Sequence, residues 1–251
     1  IPDYKDQFEQ VFNEPANMLN LGEALASYQK TLLSADSAFD RWYFGKDETA
    51  LSEDAIQGYR LFSGKANCVA CHTVNEASAL FRDNRLHNTG IGYRESMGIR
   101  PSKRTVTLAP GVEVEVEQSI IDSVSEKPPR DVGLYEVTQN PSDRWKYTTP
   151  SLRNVALSAP YMHNGSLSSL KDVVQFYNQG GIPNPGLSSL IKPLDLTDKE
   201  VDYLVSFLES LTGSNVDTLV ADAFAAPVGD LTADDPNWAN QQTEALQGEQ
   251  P

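Results

Sequence analysis

Cys68-Val69-Ala70-Cys71-His72 constrains this chain more than any other stretch. Two thiols at i and i+3, followed at once by an imidazole, form the attachment pattern for haem c. The spacing has a chemical reason. Two thioethers clamp the vinyl edge of a porphyrin, and the adjacent imidazole then reaches the iron from the proximal side, where axial ligation controls redox behaviour. Cys68 and Cys71 are therefore the expected covalent anchors of one haem c, and His72 the expected fifth ligand. A disulfide or a zinc half-site is the competing reading. Zinc in structural sites takes four protein ligands. This chain has 2 cysteines, and its other histidines, His87 and His163, lie far from the motif.

With both cysteines committed to haem, their number carries no information on disulfides. It does imply a compartment, because haem c is attached outside the cytoplasm, so a periplasmic or otherwise exported location is expected. A chain of 251 residues is long enough for one large domain or two small ones and can bury a core without covalent staples. No signal peptide is visible and the first residue is Ile1, as expected of a mature form or a fragment. No apolar run reaches membrane-spanning length, so no transmembrane segment is expected. The formal net charge of −15 argues against nucleic acid and anionic lipid. It favours a basic redox partner protein, or else serves solubility alone.

Residues 1–50 read as a polar helical extension packing on the haem domain, with Leu21, Ala24, Leu25, Tyr28 and Leu32 at helical intervals. Asp36 to Trp42 reads as a turn leading into a short packed segment. Ser52 is a good N-cap for a helix running to about Gly64. On that helix Gly58 and Phe62 share a face, and glycine lets a second helix approach closely. The expected partner opens with the capping box Thr197-Asp198-Lys199-Glu200 and carries Leu204, Val205, Phe207, Leu208 and Leu211. Within an insertion at 94–130, Thr105–Leu108 and Val112–Val116 flank Pro110-Gly111, a hairpin signal. Ser169 precedes a further helix, Leu170 to Asn178, stopped by Gly180-Gly181. Residues 214–251 hold seven acids and no lysine or arginine, and are expected to form an extended acidic tail. The expected fold is mainly α, a cytochrome c-like helical haem domain at 51–213.

Several segments together resemble the bacterial dihaem cytochrome c peroxidase and MauG family. They are Asp36-Ser37 with Phe39-Asp40-Arg41, the haem motif, and Phe81-Arg82-Asp83-Asn84-Arg85-Leu86-His87-Asn88-Thr89-Gly90. Thr149 to Leu157, Ala159 to Leu167 and Val173 to Asn178 follow in the same order. The resemblance covers about residues 4–213 and is to the second, C-terminal haem domain only. The first domain, which in the family holds the haem that opens to peroxide, has no counterpart here. Fold similarity does not carry an absent site, so peroxidase activity is not implied for this chain alone.

The resemblance also implies roles for individual residues. Opposite His72 the peroxidase branch places methionine and the MauG branch tyrosine, and the matching position here is Tyr177. A phenolate ligand favours Fe(III) over Fe(II) and lowers the reduction potential. The bland reading of Tyr177 is a core tyrosine near a helix end. Met162, Met97 and Met18 are the methionine alternatives, with Lys146 and Tyr147 behind them. His163 falls in the haem surroundings, either as a functional group or as a hydrogen-bonded structural residue. Arg153 is expected to neutralise a haem propionate or, alternatively, to be a buried arginine tying down a loop. His87 reads as structural. The family's interdomain calcium site matches Ser158 and Pro160 but lacks the first domain's ligand, so calcium is not expected without a partner.

Two functions compete. One is an exported single-haem cytochrome carrying electrons through a His/Tyr-ligated haem. The alternative is a haem subunit or fragment of a hydrogen-peroxide-reducing cytochrome c peroxidase or MauG-like oxidase, completed by a first haem domain or other subunits. A lone-domain peroxidase would need an open sixth site and a distal acid–base group; His163 and the acids of residues 83–145 are the candidates. A haem-bearing docking subunit is the last option.

Overall fold

The computed structural model describes residues 2–99, 102–109, 112–124 and 131–225. They fall into two compact units, residues 36–213 and residues 1–35 with the chain from Ser214 onward.

The smaller unit contains α1 (Pro2–Phe12) and α2 (Met18–Thr31). Asn17 caps α2, its side-chain oxygen accepting the backbone N–H groups of Leu19 at 2.9 Å and Asn20 at 3.0 Å. The helical stripe Leu21, Leu25, Tyr28 and Leu32 is exposed along its length.

The larger unit begins with α3 (Ala38–Tyr43), where Ser37 and Asp40 form a capping box, and α4 (Glu53–Ser63), capped by the Ser52 hydroxyl. After the haem motif come β1 (Leu86–His87) and α5 (Ile91–Ser96). The expected hairpin follows as β2 (Lys103–Ala109) and β3 (Val112–Glu117), antiparallel with Val106 opposite Val114. Its turn residues, Pro110 and Gly111, lie outside the described residues. Then come α6 (Gln118–Val124), α7 (Tyr135–Thr138) and β4 (Tyr147–Thr148), which pairs with β1. The unit closes with α8 (Leu170–Asn178) and α9 (Asp198–Glu209).

Helices α4 and α9 form the central packed pair. A Cβ at Gly58 would collide with the Tyr203 carbonyl and lie 2.7 Å from Phe207 Cβ, which is why glycine stands there. Around this crossing Phe62, Val201, Leu204, Phe207 and Leu211 are buried. Phe39 of α3 inserts into the same core, its ring 5.4 Å from Phe81 and 5.6 Å from Phe207. Such edge-on aromatic contacts add to area burial.

The expected extended tail departs from the structure over its first part. Residues 216–225 form α10 (Val216–Ala225), because Val216, Leu219, Val220 and the alanines have helical spacing and propensity. Residues 226–251 lie outside the described residues. The expectation of a mainly helical molecule holds, with ten α-helices and two small two-stranded sheets among the described residues.

Candidate haem site

The motif sits where α4 ends. The Ala66 N–H donates to the Leu61 carbonyl at 2.9 Å, and Asn67 turns the chain with φ 50°. A single 3₁₀ turn, Cys68–Ala70, follows. The N–H groups of Cys71 and His72 both donate to the Cys68 carbonyl, at 3.2 and 2.9 Å. One tight turn thus presents both thiols and the imidazole. Neither cysteine is bridged. Burial, then the neighbouring Cys71, pushes the Cys68 thiol up to about 12; burial, then Asp83, raises that of Cys71, with Arg85 opposing.

His72 is oriented by its far side. Its Nδ1 lies 2.7 Å from the Phe81 carbonyl oxygen. A carbonyl only accepts, so Nδ1 carries the hydrogen, and Nε2 keeps its lone pair for a metal. Burial lowers the His72 pKa, with the Phe81 carbonyl and Asp83 opposing. A neutral imidazole with a hydrogen-bonded Nδ1–H is the form that ligates iron.

The loop that carries this acceptor is itself held from several directions. Phe81 has φ 52° and a fully buried ring. The Ser151 hydroxyl donates to the Leu80 carbonyl at 2.8 Å, and the Thr73 hydroxyl to the Arg82 carbonyl at 2.7 Å. Arg153 Nε donates to the Ala79 carbonyl at 2.8 Å, and its guanidinium lies 5.3 Å from the Phe81 ring centre. Its two terminal nitrogens grip both Asp40 carboxylate oxygens, at 2.6 and 2.8 Å. Arg153 thus ties the Ala79–Phe81 loop to Asp40. Asp40, its partner, has its pKa lowered because Arg153 and the Ser37 N–H outweigh burial.

Tyr177 lies in the last turn of α8, edge-on to Phe176 at 5.2 Å. Burial, then Cys71 and Cys68, raises its phenol pKa. Met97 and Met18 are 58 % and 83 % exposed. Met162 occupies a left-handed position, φ 69°. Lys146 pairs with Asp143 at 3.0 Å. His163 and Tyr147 stack on each other at 3.8 Å, with His163 Nε2 3.8 Å from Asp131. Burial lowers the His163 pKa, and Asp131 and Glu95 oppose. Ser158 donates its hydroxyl to the Val155 carbonyl at 3.1 Å.

Asp83, foreseen only among the acids of residues 83–145, has a definite partner in the fold. His87 Nε2 lies 2.7 Å from its carboxylate, and Cys71, Asp83 and His87 have their ligating atoms within 4.8 Å of one another. The Asp83/His87 spacing of four was the available signal. Burial raises the Asp83 pKa, but the His87 and Thr149 hydrogen bonds and the Arg85 N–H pull it down to about 2. The Phe81 carbonyl and Asp40 carried no sequence signal of their roles.

The donor set fits haem c: two free thiols and a tautomerically fixed imidazole on one turn. Comparison with known proteins agrees. Residues 1–48 match the family described as Di-haem cytochrome c peroxidase. The chain is 40% identical over 215 residues to the cytochrome-c peroxidase IdrP1 of Denitromonas iodatirespirans, covering 84% of this chain and 55% of that protein. It is 33% identical over 213 residues to the methylamine utilization protein MauG of Methylorubrum extorquens, covering 84% of this chain and 50% of that one. A crystal structure of a MauG-like protein associated with microbial copper homeostasis superposes with a TM-score of 0.59 at 29% identity, over 90% of this chain and 62% of the other. The chain therefore spans about half the length of the curated relatives it matches. With its haem-attachment turn, helical fold and these similarities, the chain belongs to the dihaem cytochrome c peroxidase/MauG family of c-type cytochrome oxidoreductases.

Proposed function

We propose that this chain is the second-haem half of an exported cytochrome c peroxidase or MauG-type oxidoreductase. It would carry one haem c on Cys68 and Cys71, with His72 and Tyr177 as axial ligands. The observation that supports this best is the Cys68–His72 turn, in which both thiols are free and the Phe81 carbonyl leaves His72 Nε2 ready to ligate.

When bound, haem c supplies a one-electron Fe(III)/Fe(II) couple. The chain's own residues set its environment. The Phe81 carbonyl orients His72 and raises its basicity. Burial keeps the proton on Tyr177 Oη in the absence of a cation, so the phenolate form belongs to a nearby ferric charge. Reduction of hydrogen peroxide to water takes two electrons, of which this half would hold one while a complementary haem domain handles peroxide. No helix among the described residues is long and apolar enough to cross a membrane.

The test is the EPR spectrum of the resting ferric holoprotein, with and without hydrogen peroxide. A low-spin signal that changes in Tyr177→Phe and responds little to peroxide supports the proposed ligation. A high-spin signal converted by peroxide would instead make this chain a peroxidase by itself. A single-haem electron carrier remains the second reading, favoured by the one attachment motif in 251 residues. Adding the complementary haem domain separates the two: peroxide turnover that requires both parts supports the oxidoreductase half.

A further inference from the structure

Beside the haem-attachment turn lies a shallow groove of about 320 Å³, lined by Ala70 and Thr73 of the turn region, Asn75, Leu80, Arg82 and Arg85, among others. Its composition is unlike that of the chain as a whole. Leu80 is 61 % exposed, a large apolar side chain left in solvent beside the anchoring turn. Arg82 and Arg85 are exposed, and neither forms an ion pair among the described residues. Arg82 Nε donates to the Asn84 side chain at 2.8 Å. The one carboxylate in the lining, Asp83, has its side chain 6 % exposed and bound to His87, so its charge faces inward.

We propose that this groove is the electron-entry dock, and that it takes a partner with an acidic rim around its own redox centre. The proposal rests on the haem reading above and adds the partner's chemistry. An apolar centre rimmed by polar and charged side chains is the ordinary anatomy of a recognition patch. Charge complementarity steers such encounters and fixes their register. The net charge of −15 points the other way, toward a basic partner. At about 0.1 M salt, however, the Debye length is about 10 Å, so a docked partner feels the local arginines while the distant acids are screened. With haem c bound, the partner would give up one electron and the haem would take it up as its Fe(III)/Fe(II) couple, with no proton exchanged.

The test uses the haem-loaded full chain with two defined probes, an oxidised acidic flavodoxin and a basic c-type cytochrome. Binding is measured by calorimetry at about 0.1 M and about 1 M salt, where the Debye length falls to about 3 Å. The flavodoxin is expected to bind more tightly at the lower salt. The double variant Arg82→Glu/Arg85→Glu should weaken it at least tenfold and reverse the preference between probes. Lys192→Glu, an exposed reversal elsewhere, should change binding less than twofold. Tighter binding of the basic cytochrome by the unaltered chain, or equal loss in both variants, would overturn the dock. Dithionite reduction, read in the visible spectrum, reports the haem separately: a chain that holds no reducible haem defeats the haem reading, whereas a reducible haem with indifferent variants defeats only the dock.

Discussion

Arg153 braces the loop that orients His72 without touching the imidazole. Its guanidinium holds Asp40 on one side and the Ala79 carbonyl on the other, and the Phe81 carbonyl two residues on orients His72. Arg153→Ala would leave the Asp40 carboxylate largely buried and unpaired. Loss of one partner of such a pair costs about 3 kcal/mol or more, so urea unfolding should show a drop of that size, with Arg153→Lys recovering part of it. At Tyr177, substitution by phenylalanine removes the anionic oxygen expected to favour Fe(III). Axial ligands and their surroundings tune haem potentials over about 0.8 V, and potentiometry of Tyr177→Phe should give a midpoint higher by on the order of 100 mV. Asp83 supplies a pH dependence. Its folded pKa is depressed to about 2, below the ordinary carboxylate value of 3.8. The stabilisation is therefore complete above pH 3.8 and lost as pH falls through about 2. Acid unfolding followed by circular dichroism should steepen in that window, and Asp83→Asn should flatten it. The Cys68–His72 motif was legible as a pattern because covalent haem attachment demands one spacing. The Phe81 carbonyl was not, because a backbone oxygen nine residues away acquires a role only when the chain turns there.

At the scale of elements, the close approach of α4 to α9 is the most exacting contact. Gly58→Ala places a methyl against the Tyr203 backbone, which cannot rotate away as a side chain can. Overpacking of this kind costs about 1–3 kcal/mol, and thermal unfolding of Gly58→Ala should occur several degrees lower, with the helix content of the folded state unchanged. The caps at Ser52, Ser169 and Thr197 were readable in advance, since each places a hydroxyl before an apolar-periodic run and each accepts the expected backbone N–H. The hairpin was readable from its alternating valines. Helix α10 was not, because its acidic composition suggested a solvated tail while the local spacing of Val216, Leu219 and Val220 allowed a helix.

At the scale of the whole molecule, the chain matches about half the length of its curated relatives. Intact mass of the holoprotein should exceed the polypeptide mass by one haem, and Cys68→Ser/Cys71→Ser should abolish that addition. Motif order and local periodicity carried the haem-attachment motif, the helical class, the helix caps and the family resemblance, because these depend on residues near one another along the chain. Folding decided which group holds Arg153, which oxygen orients His72, and that two arginines surface beside the Cys68–His72 turn of an acidic chain. Those relations join residues from 9 to 113 positions apart, and tertiary packing around one aromatic core brings them together.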